Sequence, residues 1–384
     1  MGVWLRNWTS DMTIQHIVGF GVERAGDVLC DISSDPSGRQ LEEIMVKHLG
    51  RSLRGVDRGR RIDDGFKNSR PEGVEILVLD EFHADPNGQS HGAGVAYVAE
   101  QALSQPAVEV LRQRRKAGEI SLAGQLMTIA DSENPPEVIN LSFSRTPAQF
   151  FVGDYLKLKY DFTKKHRGDS SQWSAATRQE LKNQVQELAE KTVDEFYSLF
   201  DDIIPEVETA VQALLDKGVT VVMSAGKSGQ LAGMLSELGV TTPDGFWDTT
   251  FGQSVYADGV IVVGATDADG QPADFSNPNG FTDVAAEGVQ VPVNSRGGRA
   301  TGTSFTAPKV AALAADILAI RPELTPADVE AIIRKSASPV AGAEKSLGAG
   351  RVNPDKAREL ARRWAPSADL PDMTSPYISL PIPP

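Results

Sequence analysis

Short runs of β-branched and apolar residues alternate with stretches of helical spacing along much of this chain. Buried strands are predicted at Val74 to Leu79, Val138 to Leu141, Val219 to Met223 and Val260 to Val263, because each is a continuous apolar run of strand length. Helical spacing predicts helices at His91 to Gln105, Ser121 to Ala130, Pro205 to Lys217, Gly302 to Ile320 and Thr325 to Ser336. Apolar strands separated by helices predict an α/β fold in three layers, a mostly parallel sheet with helices on both faces.

The rhythm is absent at the ends and interrupted once inside. Residues 1–72 read as an N-terminal segment packed on or preceding the core. Leu41, Ile44, Met45, Lys47, His48 and Leu49 predict one helix there, and a basic stretch with Arg51, Arg54, Arg58, Arg60, Arg61, Lys67 and Arg70 reads as a solvated loop. The main domain spans 73–364. At about 145–204 a helical insertion is predicted from an aromatic cluster (Phe150, Phe151, Tyr155, Tyr160, Phe162) and an amphipathic run (Val185, Leu188, Val193, Phe196, Tyr197, Phe200). Residues 365–384 are rich in proline and read as an extended tail.

Composition narrows the partners. The 384 residues carry a formal charge of −14, which argues against nucleic acid or an anionic membrane as the main partner. Cys30 is the sole cysteine, so no internal disulfide forms. The first residues lack a basic start followed by an apolar core, and no apolar run approaches membrane-spanning length. A soluble, cytoplasmic protein is expected, with signal-less export left open.

Three positions carry candidate chemistry. Ser304, in Gly302-Thr303-Ser304-Phe305-Thr306-Ala307-Pro308, sits at the start of an apolar helix, where its own N–H can face an oxyanion created by attack of the hydroxyl. Taken alone, such a triplet is more commonly a cap or turn. Asp80 ends the first predicted strand, where open parallel sheets place functional groups. His91 opens a helix within Ser90-His91-Gly92-Ala93-Gly94. Serine to attack, histidine to move the proton and aspartate to orient the imidazole are the roles of a hydrolytic triad.

In that order, Asp, His, Ser, the chain resembles the subtilisin-like serine proteases, the subtilases. GTSFTAPKVA resembles the serine motif GTSMAxPHVAG, SHGAGVA the histidine motif HGTHVAG, and EILVLDEF the aspartate strand. EVINLSFS is similar to the groove strand VINMSLG, and VTVVMSAGKSG to VVVVAAAGNEG. VIVVGATDADGQPADFSN and FTDVAAEGVQV resemble the stretches leading to the serine. The resemblance covers roughly residues 73–338. It implies a serine endopeptidase with Asp80, His91 and Ser304 as catalytic residues and a peptide or protein as substrate. The backbone of Leu141, Ser142, Phe143 and Ser144 would line one edge of the groove, Ser224, Ala225 and Gly226 the floor of the primary pocket, and a second edge would lie near residues 230–250.

Departures from the pattern bear on function. Asp80 and His91 are only 11 residues apart, Glu81 and Phe82 replace the family's Ser/Thr-Gly, Ser144 replaces a glycine, and Lys309 replaces a histidine. The resemblance puts the oxyanion hole at the Ser304 N–H and at residue 227, where the family has an asparagine amide and this chain has Lys227. Lys227 as a charged donor, Lys227 turned away in a slow enzyme, and Lys227 as a disabling substitution all remain open. The alternative to a selective processing protease is therefore a pseudoprotease, a module that binds peptides or a partner in the same groove. No cofactor or metal site is identified; structural calcium is implied by the resemblance alone, and Asp267-Ala268-Asp269-Gly270 reads as a turn. A separate inhibitor or dedicated partner protein is expected to control the enzyme, with the insertion as a helical flap beside the groove.

Overall fold

The computed structural model describes residues 73–82, 90–115, 122–166 and 172–365, with the backbone alone at Lys345. The predicted N-terminal helix, the basic stretch and all but the first residue of the tail lie outside the described residues. Those described form two compact units, one built from 145–202 and 227–250, the other from the remaining segments.

The larger unit is a three-layer α/β structure. Its sheet has the order β2-β1-β3-β4-β5-β6. The strands are β1 (Val74–Asp80), β2 (Val108–Arg114), β3 (Val138–Leu141), β4 (Thr220–Ser224), β5 (Val260–Thr266) and β6 (Val284–Glu287), and all neighbours pair in parallel. Alternation within the strands splits the core in two, as the period of a strand requires. Ile76 and Val78 face one core with Val138, Val222 and Ile261, closed by the helices α1 (His91–Ala102), α7 (Ala307–Ile320), α8 (Pro326–Ser336) and α10 (Pro354–Arg363), the short α9 (Glu344–Leu347) lying between the last two in the chain. Leu77 and Leu79 face the other with Ile139, Val221 and Val262, closed by α2 (Leu122–Ala130) and α5 (Ile203–Asp216). Burial on both faces explains why these strands read as unbroken apolar runs.

The four predicted strands and five predicted helices are present, with ends shifted by a few residues. The predicted helix from Gly302 is in fact a tight 3-10 turn, Thr303–Phe305, followed by α7. The edge strand β2 escaped the pattern because VEVLRQR carries exposed charges on both faces, Glu109 on one and Arg112 and Arg114 on the other, and so is no continuous apolar run. One expectation is corrected: Thr303–Ile320 is long and apolar enough to span a membrane, yet 78% of it is buried within the protein as the central helix.

The smaller unit is helical. α3 (Pro147–His166), α4 (Ala175–Phe200) and α6 (Gly229–Glu237) enclose a core of Phe151, Tyr155, Phe162, Val185, Leu231 and Phe246. Phe151 lies edge-on to Phe246 and stacks on Tyr155. Ser174 caps α4 by accepting from the Thr177 N–H at 3.0 Å. Residues 230–250, expected to give a second groove edge, form α6 and turns, with no strand. Their apolar side chains complete the core of the helical unit, so helix packing decides their conformation.

Candidate active site

β1 delivers Asp80 to the carboxyl edge of the sheet, where the side chain is 1% exposed. His91 is the first residue of α1, capped by the Ser90 hydroxyl on the Ala93 N–H. Its Nδ1 lies 2.8 Å from Asp80 Oδ1, which also accepts the Glu81 N–H at 2.6 Å. With Nδ1 protonated toward the carboxylate, Nε2 is left as the basic nitrogen. Gly92 makes this approach possible, because a Cβ there would sit 3.0 Å from Asp80 Cβ and from the Glu81 carbonyl. The Gly92 N–H donates to that carbonyl at 3.0 Å, which ties the helix start to the aspartate turn.

Ser304 lies in the turn before α7 and is half-buried. Its hydroxyl donates to the Ser142 carbonyl at 3.1 Å, and the Ser142 hydroxyl donates to the Ser304 carbonyl at 2.9 Å. Asn140, on β3, donates to the Ser142 hydroxyl at 2.9 Å. Phe305, next to the serine, sets its ring 5.5 Å from the His91 imidazole. That brings the Asp80–His91 couple and the serine turn to one edge of the α/β unit.

The predicted groove residues differ in access. Leu141 and Ser142 are buried and offer only backbone, while Phe143 and Ser144 are half-buried. Ser224 ends β4 and Ala225 and Gly226 follow it, all three buried. Gly226 has φ +96° and a Cβ there would meet Asn277 Nδ2 at 2.3 Å, so only glycine fits. The Asn277 N–H donates to Gly226 O, and Asn279 Nδ2 to Ala225 O, both at 3.1 Å. Asn140, Asn277 and Asn279 support the edge without having been singled out in the sequence; for Asn277 and Asn279 the stretch PADFSN was the nearest signal.

Lys227 opens the segment 227–250 of the helical unit and is half-buried. Lys309, on the first turn of α7, donates to the Glu287 carbonyl at 2.7 Å, and burial holds its ammonium below the usual lysine range. Asp267 accepts the N–H groups of Asp269 and Gln271 and so forms a turn. Among the described residues, no group of three or more His, Cys, Asp or Glu is placed to hold a metal ion.

The model of the subtilase family matches residues 83–350. The chain belongs to the subtilase family. Relatives of this subtilase include mycosin-4 of Mycobacterium tuberculosis (strain ATCC 25618 / H37Rv), 30% identical over 44% of this chain and 39% of its own length. The thermophilic serine proteinase of Bacillus sp. (strain AK1) is 32% identical over 38% and 32% of the two chains. Subtilisin DY of Bacillus licheniformis is 31% identical over 40% and 54%. The matches thus span about a third to a half of these relatives. Among solved structures, the self-cleaved protease domain of PatA aligns with a TM-score of 0.45 at 20% identity, covering 76% of this subtilase and 99% of that chain. MycP1 from the ESX-1 type VII secretion system aligns with a TM-score of 0.42 at 21% identity, covering 74% and 80%.

Proposed function

We propose that this subtilase is a serine endopeptidase in which Ser304 is the nucleophile, His91 the general base and acid, and Asp80 the group that orients His91. The observation that carries the reading is the 2.8 Å contact of a buried Asp80 carboxylate with His91 Nδ1. It prepares Nε2 to accept the Ser304 proton as Oγ attacks a peptide carbonyl, and the buried carboxylate then stabilises the imidazolium. His91 next gives that proton to the departing amine, and water attacks the acyl-enzyme with His91 again as base. In this structure the Ser304 proton points to the Ser142 carbonyl.

An extended substrate would pair with the backbone at Leu141 to Ser144 and set one side chain above the segment Ser224 to Gly226. A processing enzyme acting on few partners, and working in the cytoplasm, remains our reading of the insertion and of the acidic, low-cysteine composition. A second reading is favoured by Lys227, which stands where the subtilase motif has its amide donor. A primary ammonium on a flexible stem is a less fixed donor, so binding without efficient turnover is the alternative.

A fluorophosphonate probe separates the two, because covalent labelling requires an activated serine. Labelling of the natural chain that disappears in Ser304→Ala supports the enzyme. An unlabelled chain that still binds peptides supports the binding module.

A further inference from the structure

Glu81 follows the aspartate where the family pattern has Ser or Thr. Its backbone serves both partners of the Asp80–His91 couple, donating to Asp80 Oδ1 and accepting from Gly92. Its carboxylate is held by Arg115 Nη2 at 2.6 Å. Arg115 is itself fixed twice. Its N–H donates to the Asp80 carbonyl at 2.8 Å, and its guanidinium carbon sits 4.6 Å from the ring centre of Phe143, on the groove segment. The pair bridges the aspartate turn and the groove segment and stays partly exposed, at 27% for Arg115 and 34% for Glu81.

A half-exposed ion pair adds little to stability. Its effect on a neighbouring imidazole is of another kind. A carboxylate beside the aspartate turn favours the His91 imidazolium, a guanidinium there disfavours it, and held together they oppose each other. Other charges lie on α1 and on the elements packed against it: Arg114, opposite Asp80 in the β1–β2 register, and Glu109 are exposed on β2 and are the same in every chain compared below. Asp80 is bonded to His91, Glu100 on α1 is paired with Arg112 on β2, and Lys309 on α7 is bonded to the Glu287 carbonyl. We propose that Arg115 is a positioning residue that, by holding and neutralising Glu81, sets the pH at which His91 becomes a free base.

The proposal rests on the reading of His91 as the catalytic base, and its test does not depend on turnover. The imidazole C–H signals of His91, assigned with His91→Asn, are titrated by NMR in the full chain and in Arg115→Ala, Glu81→Gln and the double variant. Arg115→Ala is expected to raise the His91 midpoint by about half a unit or more, Glu81→Gln to lower it, and the double variant to return it close to the starting value. Arg115→Gln repeats the measurement if the alanine variant fails to fold. Equal midpoints in all four chains, or shifts of one sign in both single variants, overturn the proposal. The pH dependence of fluorophosphonate labelling should move with the midpoint. A chain that never labels removes the nucleophile reading, while the titration still decides the role of Arg115.

Discussion

Ser142 and Ser304 exchange two hydrogen bonds, each hydroxyl donating to the other's carbonyl, at 2.9 and 3.1 Å. This pair fastens the turn carrying the proposed nucleophile to the end of β3. Ser142→Ala removes one of the two bonds and the acceptor used by the Asn140 amide. A buried amide losing its partner costs about 1–3 kcal/mol. The expected result is a lower thermal midpoint, and a kcat reduced about tenfold with little change in KM, since about 1.4 kcal/mol of lost positioning gives that factor. Steady-state kinetics on one peptide, alongside thermal unfolding, measure both. An unchanged kcat would mean that the turn holds the serine without this contact.

Asp80, His91 and Ser304 are expected to act as one unit. Ser304→Ala and His91→Ala should each remove nearly all peptidase activity, and the combination should remove little more. Asp80→Asn should favour the wrong imidazole tautomer and lower kcat about 10⁴-fold, by analogy with other triads. Circular dichroism should report a native fold in each. Near-normal turnover by His91→Ala would end the triad assignment.

These three candidates could be picked out of the sequence because each sits in a local signature: an apolar strand ending in aspartate, a histidine between small residues, a glycine turn before an apolar helix. The central strands were legible for the same local reason, since burial on both faces leaves only apolar positions. What supports the site was not. Arg115 reaches Glu81 across 34 residues, and Asn277 fills the space over Gly226 from 51 positions away in the chain. Such contacts leave no period or spacing in the sequence. α6 also escaped, because its Leu231 and Leu235 complete a core whose other members lie mostly on α3 and α4.

A buried pair of carboxylates predicts a pH dependence of stability. Asp283 accepts from the Val262 N–H and Glu330 from the Gly259 N–H, and both approach Arg334. Burial, and then the Glu330 charge, push Asp283 well above the usual carboxylate range; burial likewise raises Glu330. A carboxyl whose folded value is raised stabilises the fold below its unfolded value, and that contribution is lost as pH rises through the folded value. Asp283→Asn keeps an oxygen for Val262 and removes the titration. Its thermal midpoint should exceed that of the natural chain at pH 8, with the gap closing or reversing by pH 5. A constant gap across that range would show that Asp283 does not titrate with folding.

Asp316 predicts the largest loss of stability. It is fully buried on α7 and accepts from the N–H groups of Ser104 and Gln105, the Ser104 hydroxyl, and Nε and Nη2 of Arg358. One carboxylate therefore joins the end of α1, the central helix and α10. Asp316→Ala leaves a guanidinium only 16% exposed facing the vacated site, together with two amides and a hydroxyl without that acceptor. Breaking a buried pair from one side costs about 3–5 kcal/mol. Asp316→Asn can still accept from the backbone and should lose less. Arg358→Met leaves the carboxylate with three neutral donors and keeps the apolar stem, so its loss should fall between those of the two Asp316 variants. Urea unfolding of the three variants gives the order, and a loss below about 1 kcal/mol in Asp316→Ala would mean that solvent enters and replaces the network.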